Sequence, residues 1–143
     1  MAYGRHERTD GRKWPWGAYS AGDFRARPFT PQDVRAFSAK LALKIRDEDM
    51  QIGGWWQASS WDLALMFPML EMAGLSRVRF IDRELSVYRS HQGCDGSKGK
   101  LFQDFSHWCS RQRPYYRAFR ARRTADADPA CDGRCSPVHS RLP

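Results

Sequence analysis

No stretch of this sequence is long and apolar enough to cross a bilayer. The longest uninterrupted apolar run is Leu63 to Leu70, far short of the roughly 20 residues that a spanning helix needs. The opening MAYGRHERTD shows no apolar stretch behind its basic residues, so a secretory leader is not expected and the chain reads as soluble and cytoplasmic. Cysteine is scarce: four residues, at 94, 109, 131 and 135, are irregularly spread, which argues against a disulfide framework and for reduced thiols. Cys131, Cys135 and His139 offer ligand types four residues apart. A closed zinc site wants a fourth ligand and a paired cluster, and neither is present. Internal repeats are missing too. Acids are absent from residues 111 to 123, where six arginines fall, so most of the net charge of +8 belongs to one segment rather than to the body of the chain.

What is present suffices for one domain. With 143 residues, 41% hydrophobic and 13% aromatic, the chain can bury a core but not two. We place a domain over residues 1–117 and a basic tail over 118–143. From Thr124 onward the tail has almost no apolar residues and is expected to be disordered.

Residues 1 to 29 show no sustained period, and we expect a strand no longer than Met1 to Tyr3 followed by loop. Thr30-Pro31-Gln32-Asp33 has the form of a helix start: a capping threonine, proline at the first helical position and an acid in the first turn. Val34, Phe37, Leu41 and Ile45 then recur at helical spacing, predicting about four turns that end at Asp47-Glu48-Asp49. Gly53-Gly54-Trp55-Trp56 reads as a flexible aromatic loop. Ser59 and Ser60 can cap the next helix, WDLALMFPMLEMA, which Gly74 closes and in which Pro68 must force a kink or a restart. Val78 and Phe80, then Leu85 and Val87, alternate as two short strands separated by Asp82-Arg83-Glu84. Residues 91 to 100 form a glycine-containing loop. Leu101, Phe102, Phe105, Trp108 and Cys109 mark a last amphipathic helix.

Asp62 is the one acid at the mouth of the most apolar segment, while Glu71, nine positions on, points to the opposite face of an unkinked helix. Spacing leaves two readings open. Asp62 and Ser59 can simply cap the helix, whose free N–H groups and dipole favour a carboxylate there. Alternatively, an ionised carboxylate beside the loop carrying Trp55 and Trp56 can take a proton from a bound hydroxyl. The two tryptophans can stack on a sugar or merely cover the core.

The stretch WDLALMFPMLEMAG, followed by RVRFIDRELSVYR, resembles the second half of a family 2 glycosyltransferase of the A-type nucleotide-sugar fold. The likeness spans roughly residues 1 to 117. It is strongest over Trp61 to Gly74 and is supported by Arg35, Phe37, Asp47-Glu48-Asp49, Phe80-Ile81 and Leu85 to Tyr88. It implies an α/β fold with helices packed on a small mixed sheet. It also implies an inverting transfer from a nucleotide-sugar donor to a glycan acceptor, with Asp62 as general base. Trp55, Trp56, Trp61, Tyr88, Arg89 and His91 then become candidate substrate-binding residues, and His91 a candidate ligand of a divalent metal, Mn or Mg. The strand end Tyr88-Arg89-Ser90-His91 follows the general family pattern, whereas the nearest subgroup has Tyr-Asn and a later Asn-Asp, for which Asp95 and Lys98 are the available residues.

In this family an Asp-x-Asp cluster of the donor half binds the metal. No such cluster precedes the Met1-Ala2-Tyr3-Gly4-Arg5 strand, so the chain is expected to be the acceptor-side half, inactive alone or completed by a separate donor-binding chain. Two other expectations compete. The segment RQRPYYRAFRARR could serve a small nucleic-acid-binding module through phosphate contacts and base stacking, although no nucleic-acid fold motif accompanies it. The chain could also be an inactive remnant, which would bind no donor.

Overall fold

The computed structural model describes residues 1–12, 17–31, 34–89, 91 and 99–119. It is a small α/β protein. Strand β1 (Ala2–Arg8) is the centre of a mixed three-stranded sheet of order β2-β1-β5. On one side it pairs antiparallel with β2 (Arg35–Ala36), and on the other it pairs parallel with β5 (Arg79–Tyr88). Between them come a short helix, α1 (Ala39–Ala42), a small hairpin of β3 (Gln51–Ile52) and β4 (Trp55–Trp56), and the long helix α2 (Trp61–Ala73). Helix α3 (Lys100–Gln112) follows the sheet and packs on α2. Among the described residues, no helix is long and apolar enough to cross a membrane.

Helix α2 is the core. Its residues from Leu63 onward are buried almost without interruption, with Met66, Phe67, Met69 and Leu70 fully shielded. A helix that is apolar on every side has no solvent face and must be surrounded. Tyr3 from β1, Phe24 from a single helical turn (Phe24–Ala26), Phe29 and Leu41 surround it. Each such side chain contributes about 1.5–3 kcal/mol on burial. This offsets the backbone bond that Pro68 removes, and the helix runs continuously from Trp61 to Ala73 with no restart. Gly74 ends it at φ +71°, donating its N–H to the Leu70 carbonyl. Arg77 then folds back, its Nε donating to the Ala73 carbonyl at 2.7 Å, so that a cation sits on the helix's negative end.

Four expectations are corrected here. The helix expected from Thr30 shrinks to Ala39–Ala42, because the backbone just before it is taken by the sheet. Arg35 pairs with Tyr3 and Ala36 with Ala2, and the Val34 carbonyl accepts from the Gly4 N–H. Pairing with β1 outweighs a local helical pattern. Thr30 is buried and its hydroxyl donates to Tyr3 Oη instead of capping; Gln32 and Asp33 lie outside the described residues.

Second, β1 continues past Tyr3 to Arg8. Its distal half is charged, and cross-strand pairs replace apolar contacts: Arg5 meets Asp82 at 2.9 Å and Glu84 at 3.0 Å. Third, the two strands expected around Asp82-Arg83-Glu84 are one. The change of phase is a bulge, not a turn: the register slips between Gly4 and Arg5 and again between Arg5 and His6. Leu85 lies over Gly4 there, where a Cβ would come within 2.3 Å of Leu85 Cδ1. Fourth, Trp55 and Trp56 belong to a strand. Gly53 (φ +60°) and Gly54 (φ +82°) form a two-residue turn that pairs Ile52 with Trp55 and Gln51 with Trp56.

The stretch after α3 packs back onto the body. Tyr116 Oη donates to buried Asp49 at 2.6 Å while accepting the Arg46 N–H at 2.9 Å, and Arg46 closes on the same carboxylate. The Phe119 N–H reaches the Met72 carbonyl at 2.7 Å, so contact with the domain continues through residue 119. Tyr116→Phe removes a hydrogen bond to a buried carboxylate and is expected to cost about 1–2 kcal/mol. Urea denaturation would measure this, and an unchanged midpoint would show that Tyr116 carries no stability.

Candidate functional site

Asp62 occupies the first turn of α2 with its side chain 24% exposed. The serines before it make no side-chain capping bond. Ser60 takes a left-handed conformation, φ +56°, and Ser59 Oγ and Ser60 Oγ are buried with no hydrogen-bond partner among the described residues. Gln57 explains this local shape. Its side-chain amide donates to the Ser60 carbonyl at 2.9 Å and to Ser110 Oγ at 3.2 Å, tying the entry of α2 to α3. The Leu63 N–H adds a bond to the Ser60 carbonyl. A non-glycine residue in this region carries backbone strain, here held by a side chain that bridges two helices. The capping pair of Ser59 and Asp62 is therefore not formed.

Asp62 instead accepts a hydrogen bond from a side chain brought by the sheet. Arg35 Nη2 donates to its Oδ2 at 3.0 Å. The guanidinium carbon stands 5.8 Å from the centre of the Phe29 ring, and Phe29 meets Phe67 edge-on at 5.5 Å. Arg35 is thus fixed from below by the aromatic core, and one carboxylate oxygen of Asp62 is fixed by Arg35.

His107 on α3 is the further member of this neighbourhood. It is half-buried, and loss of solvation holds its pKa below the usual 6.5; the Asp62 carboxylate pulls it back up, Arg111 pushes it down, and Asp104 and Lys100 act in opposite senses. Because the folded pKa lies below the unfolded one, the unfolded chain takes up this proton first. Stability contributed by neutral His107 is therefore present above pH 6.5 and lost as pH falls through the folded value. His107→Gln is expected to shallow the loss of stability below pH 6.5, measured as Tm against pH beside the native chain. Superimposable profiles would refute this.

The other candidates lie on different parts of the surface or are already engaged. Trp55, Trp56 and Trp61 are exposed. Tyr88 stacks on His6 at 5.3 Å, and Arg8 lies over its ring at 5.1 Å, so this side chain closes the end of the β1–β5 pair. Arg89 and His91 are exposed. Among the described residues, no three of His, Cys, Asp and Glu come together as a metal set. Cys94, Asp95, Lys98, Cys131, Cys135 and His139 fall outside the described residues.

Two arginines of the basic segment turn inward. Arg111 donates to the Arg25 and Arg27 carbonyls and lies over Phe67, and Arg113 donates to the Gln51 carbonyl.

Sequence reasoning missed the pairing of Arg35 with Asp62 because Arg35 fell inside an expected helix. It missed His107 because it read α3 by its apolar stripe. The faint signal for His107 was its spacing from Gln103, Ser106 and Ser110 on the opposite face.

No family model, curated protein or solved structure matches this chain.

Proposed function

We propose that this chain is the acceptor-side portion of an inverting glycosyltransferase that moves a sugar from a nucleotide-sugar donor onto a glycan, with Asp62 as its general base. The observation that supports this most is the state of Asp62. Its carboxylate is part-exposed at the mouth of α2, oriented by an arginine from the sheet rather than used up on its own helix.

In the reaction, an acceptor hydroxyl bound over the α2 entry gives its proton to Asp62. Its oxygen attacks the anomeric carbon, and the bond from that carbon to the nucleoside diphosphate breaks, the diphosphate leaving with the electron pair. Proton removal by a positioned carboxylate is the step for which this geometry is suited. Exposed Trp55 and Trp56, on a hairpin anchored by Arg113 and Gln57, offer flat apolar faces to a pyranose ring. Trp61 stands beside Asp62 in the sequence and is also exposed. On this reading the Asp-x-Asp cluster that holds the divalent metal belongs to the donor-side half, supplied by another segment or chain, and His91 is this chain's candidate contact to the metal or the diphosphate.

The test is transfer from a panel of nucleotide sugars to glycan acceptors, with Mn or Mg present and with any reading frame encoded directly upstream expressed alongside. Native chain and Asp62→Asn are compared. Equal transfer by both would remove Asp62 from the role of base.

A further inference from the structure

Helix α3 is turned inside out. Its apolar stripe, Leu101, Phe102, Phe105 and Trp108, is 89%, 50%, 49% and 59% exposed, while Ser106 and Ser110 are buried against the body. The inward face is small and polar because Ser110 bonds to Gln57 and the Ser110 carbonyl receives Arg25. The outward residues sit at i, i+1, i+4 and i+7, one side of the helix, and Phe105 and Trp108 stack with ring centres 6.3 Å apart. The patch continues toward the hairpin. Ile52 and Gly53 face Trp108, Cys109 and Arg113 across an open cleft of about 360 Å³ with no acid in its lining.

We infer that this face is a membrane-docking surface: α3 lies in the plane of an anionic lipid bilayer with Leu101, Phe102, Phe105 and Trp108 in the headgroup boundary. Charge decides the occupant. The segment that follows the stripe, 111 to 123, has no acid; Arg111 and Arg113 turn inward onto backbone carbonyls, and its other four arginines, Arg117, Arg120, Arg122 and Arg123, are the charge it offers an anionic surface. A helix of low net hydrophobicity with Leu, Phe and Trp on one side and arginines adjoining it has the form of an interfacial helix. On α3 itself, the acid Asp104 is neutralised by Lys100 at 3.0 Å, and the remaining charged side chain is Arg111. A neutral protein partner would not call for so one-sided a charge, and an anionic surface does. The inference is independent of the role given to Asp62.

Flotation of the full chain with vesicles tests it, using phosphatidylcholine alone and phosphatidylcholine mixed with phosphatidylglycerol. The chain should float with the mixed vesicles and much less with the neutral ones. Phe102→Ser with Trp108→Ser should weaken binding to the mixed vesicles by about tenfold or more. Replacing Arg117, Arg120, Arg122 and Arg123 with glutamine should weaken it by about fivefold per arginine that reaches the surface. Leu43→Ser, an exposed apolar residue on another part of the molecule, should leave it unchanged. Circular dichroism of each variant separates lost docking from lost folding. Three results would overturn the inference: no flotation with the mixed vesicles, equal flotation after the Phe102 and Trp108 changes, or a stable dimer that hides the stripe and ignores lipid. Because the assay needs neither donor nor acceptor, its failure leaves the transferase reading standing, and an inactive Asp62 leaves this one standing.

Discussion

Truncating either Arg25 or Glu71 to alanine is expected to lower stability by about 3–5 kcal/mol, enough to unfold a marginal domain, because each leaves a buried charge without its partner. The pair is enclosed on all sides, with both side chains almost fully buried. Arg25 Nε and Nη2 grip the Glu71 carboxylate at 2.5 and 3.0 Å. The remaining donors are also occupied: Nη1 reaches the carbonyls of Ser110 and Arg113, each at 2.8 Å, and the guanidinium carbon stands 5.8 Å from the centre of the Phe67 ring and 5.1 Å from that of Tyr115. Glu71 in turn accepts the Tyr116 N–H at 2.9 Å. One ion pair therefore fastens the loop at Phe24–Ala26, helix α2, the end of α3 and the stretch beyond it.

The pair costs more to break than to replace, even though replacement also gives up the bonds to the Ser110 and Arg113 carbonyls and the Tyr116 N–H. Arg25→Met with Glu71→Leu removes both charges together and leaves apolar groups of similar volume, so the double variant should lie well above either single variant in stability. Thermal and urea unfolding of the three variants would show it. Additive losses in the double variant would mean that the two side chains stabilise the fold separately, contrary to this account.

The same pair shows why some of the fold could be read along the chain and some could not. Helix α2 was legible because its signals are local: an apolar body from Leu63 to Ala73 and a glycine at the stop. The basic stretch after α3 was legible as composition. Arg25 was not, since nothing between residues 17 and 29 repeats at a helical or strand period, and its partner lies 46 residues away. β2 failed for the same reason. Its two residues are strand only because β1 offers them backbone partners, and that pairing is invisible to any window around Phe37. Strand β5 was half legible, because its alternation is real on both sides but the bulge at Asp82 to Leu85 breaks the phase in the manner of a turn. The apolar period of α3 was legible, and its direction was not. Period reports which residues share a face, and only the neighbours decide whether that face looks inward. At the candidate site, Asp62 stood out as an acid among apolar residues, whereas Arg35 reaches it from β2, and His107 on α3 feels its charge, without sharing a motif with it.

Asp62→Asn is expected to reduce transfer by about 10²- to 10⁴-fold, the usual worth of a positioned proton acceptor. The substitution is chosen because asparagine keeps the shape of the side chain and can still accept the Arg35 hydrogen bond through its oxygen, but cannot take the acceptor's proton. The loss should therefore appear in kcat, with KM for donor and acceptor nearly unchanged, since binding is retained and only the transition state loses its base. Stability should fall little, by about 1 kcal/mol, as an ion pair becomes a hydrogen bond at a part-exposed site. Asp62→Ala is the contrasting variant: it leaves the Arg35 guanidinium half-buried with its carboxylate gone, and should lose stability as well as transfer. Arg35→Lys keeps a positive partner but not the same reach, and should lower kcat less than Asp62→Asn while leaving the fold intact. The order of the three variants separates chemistry from architecture. If transfer followed thermal stability across them, with Asp62→Asn the most active, Asp62 would be a structural ion-pair partner and the base would have to lie elsewhere. If Asp62→Asn were as inactive as Asp62→Ala while keeping nearly native stability, the carboxylate would act on the acceptor itself.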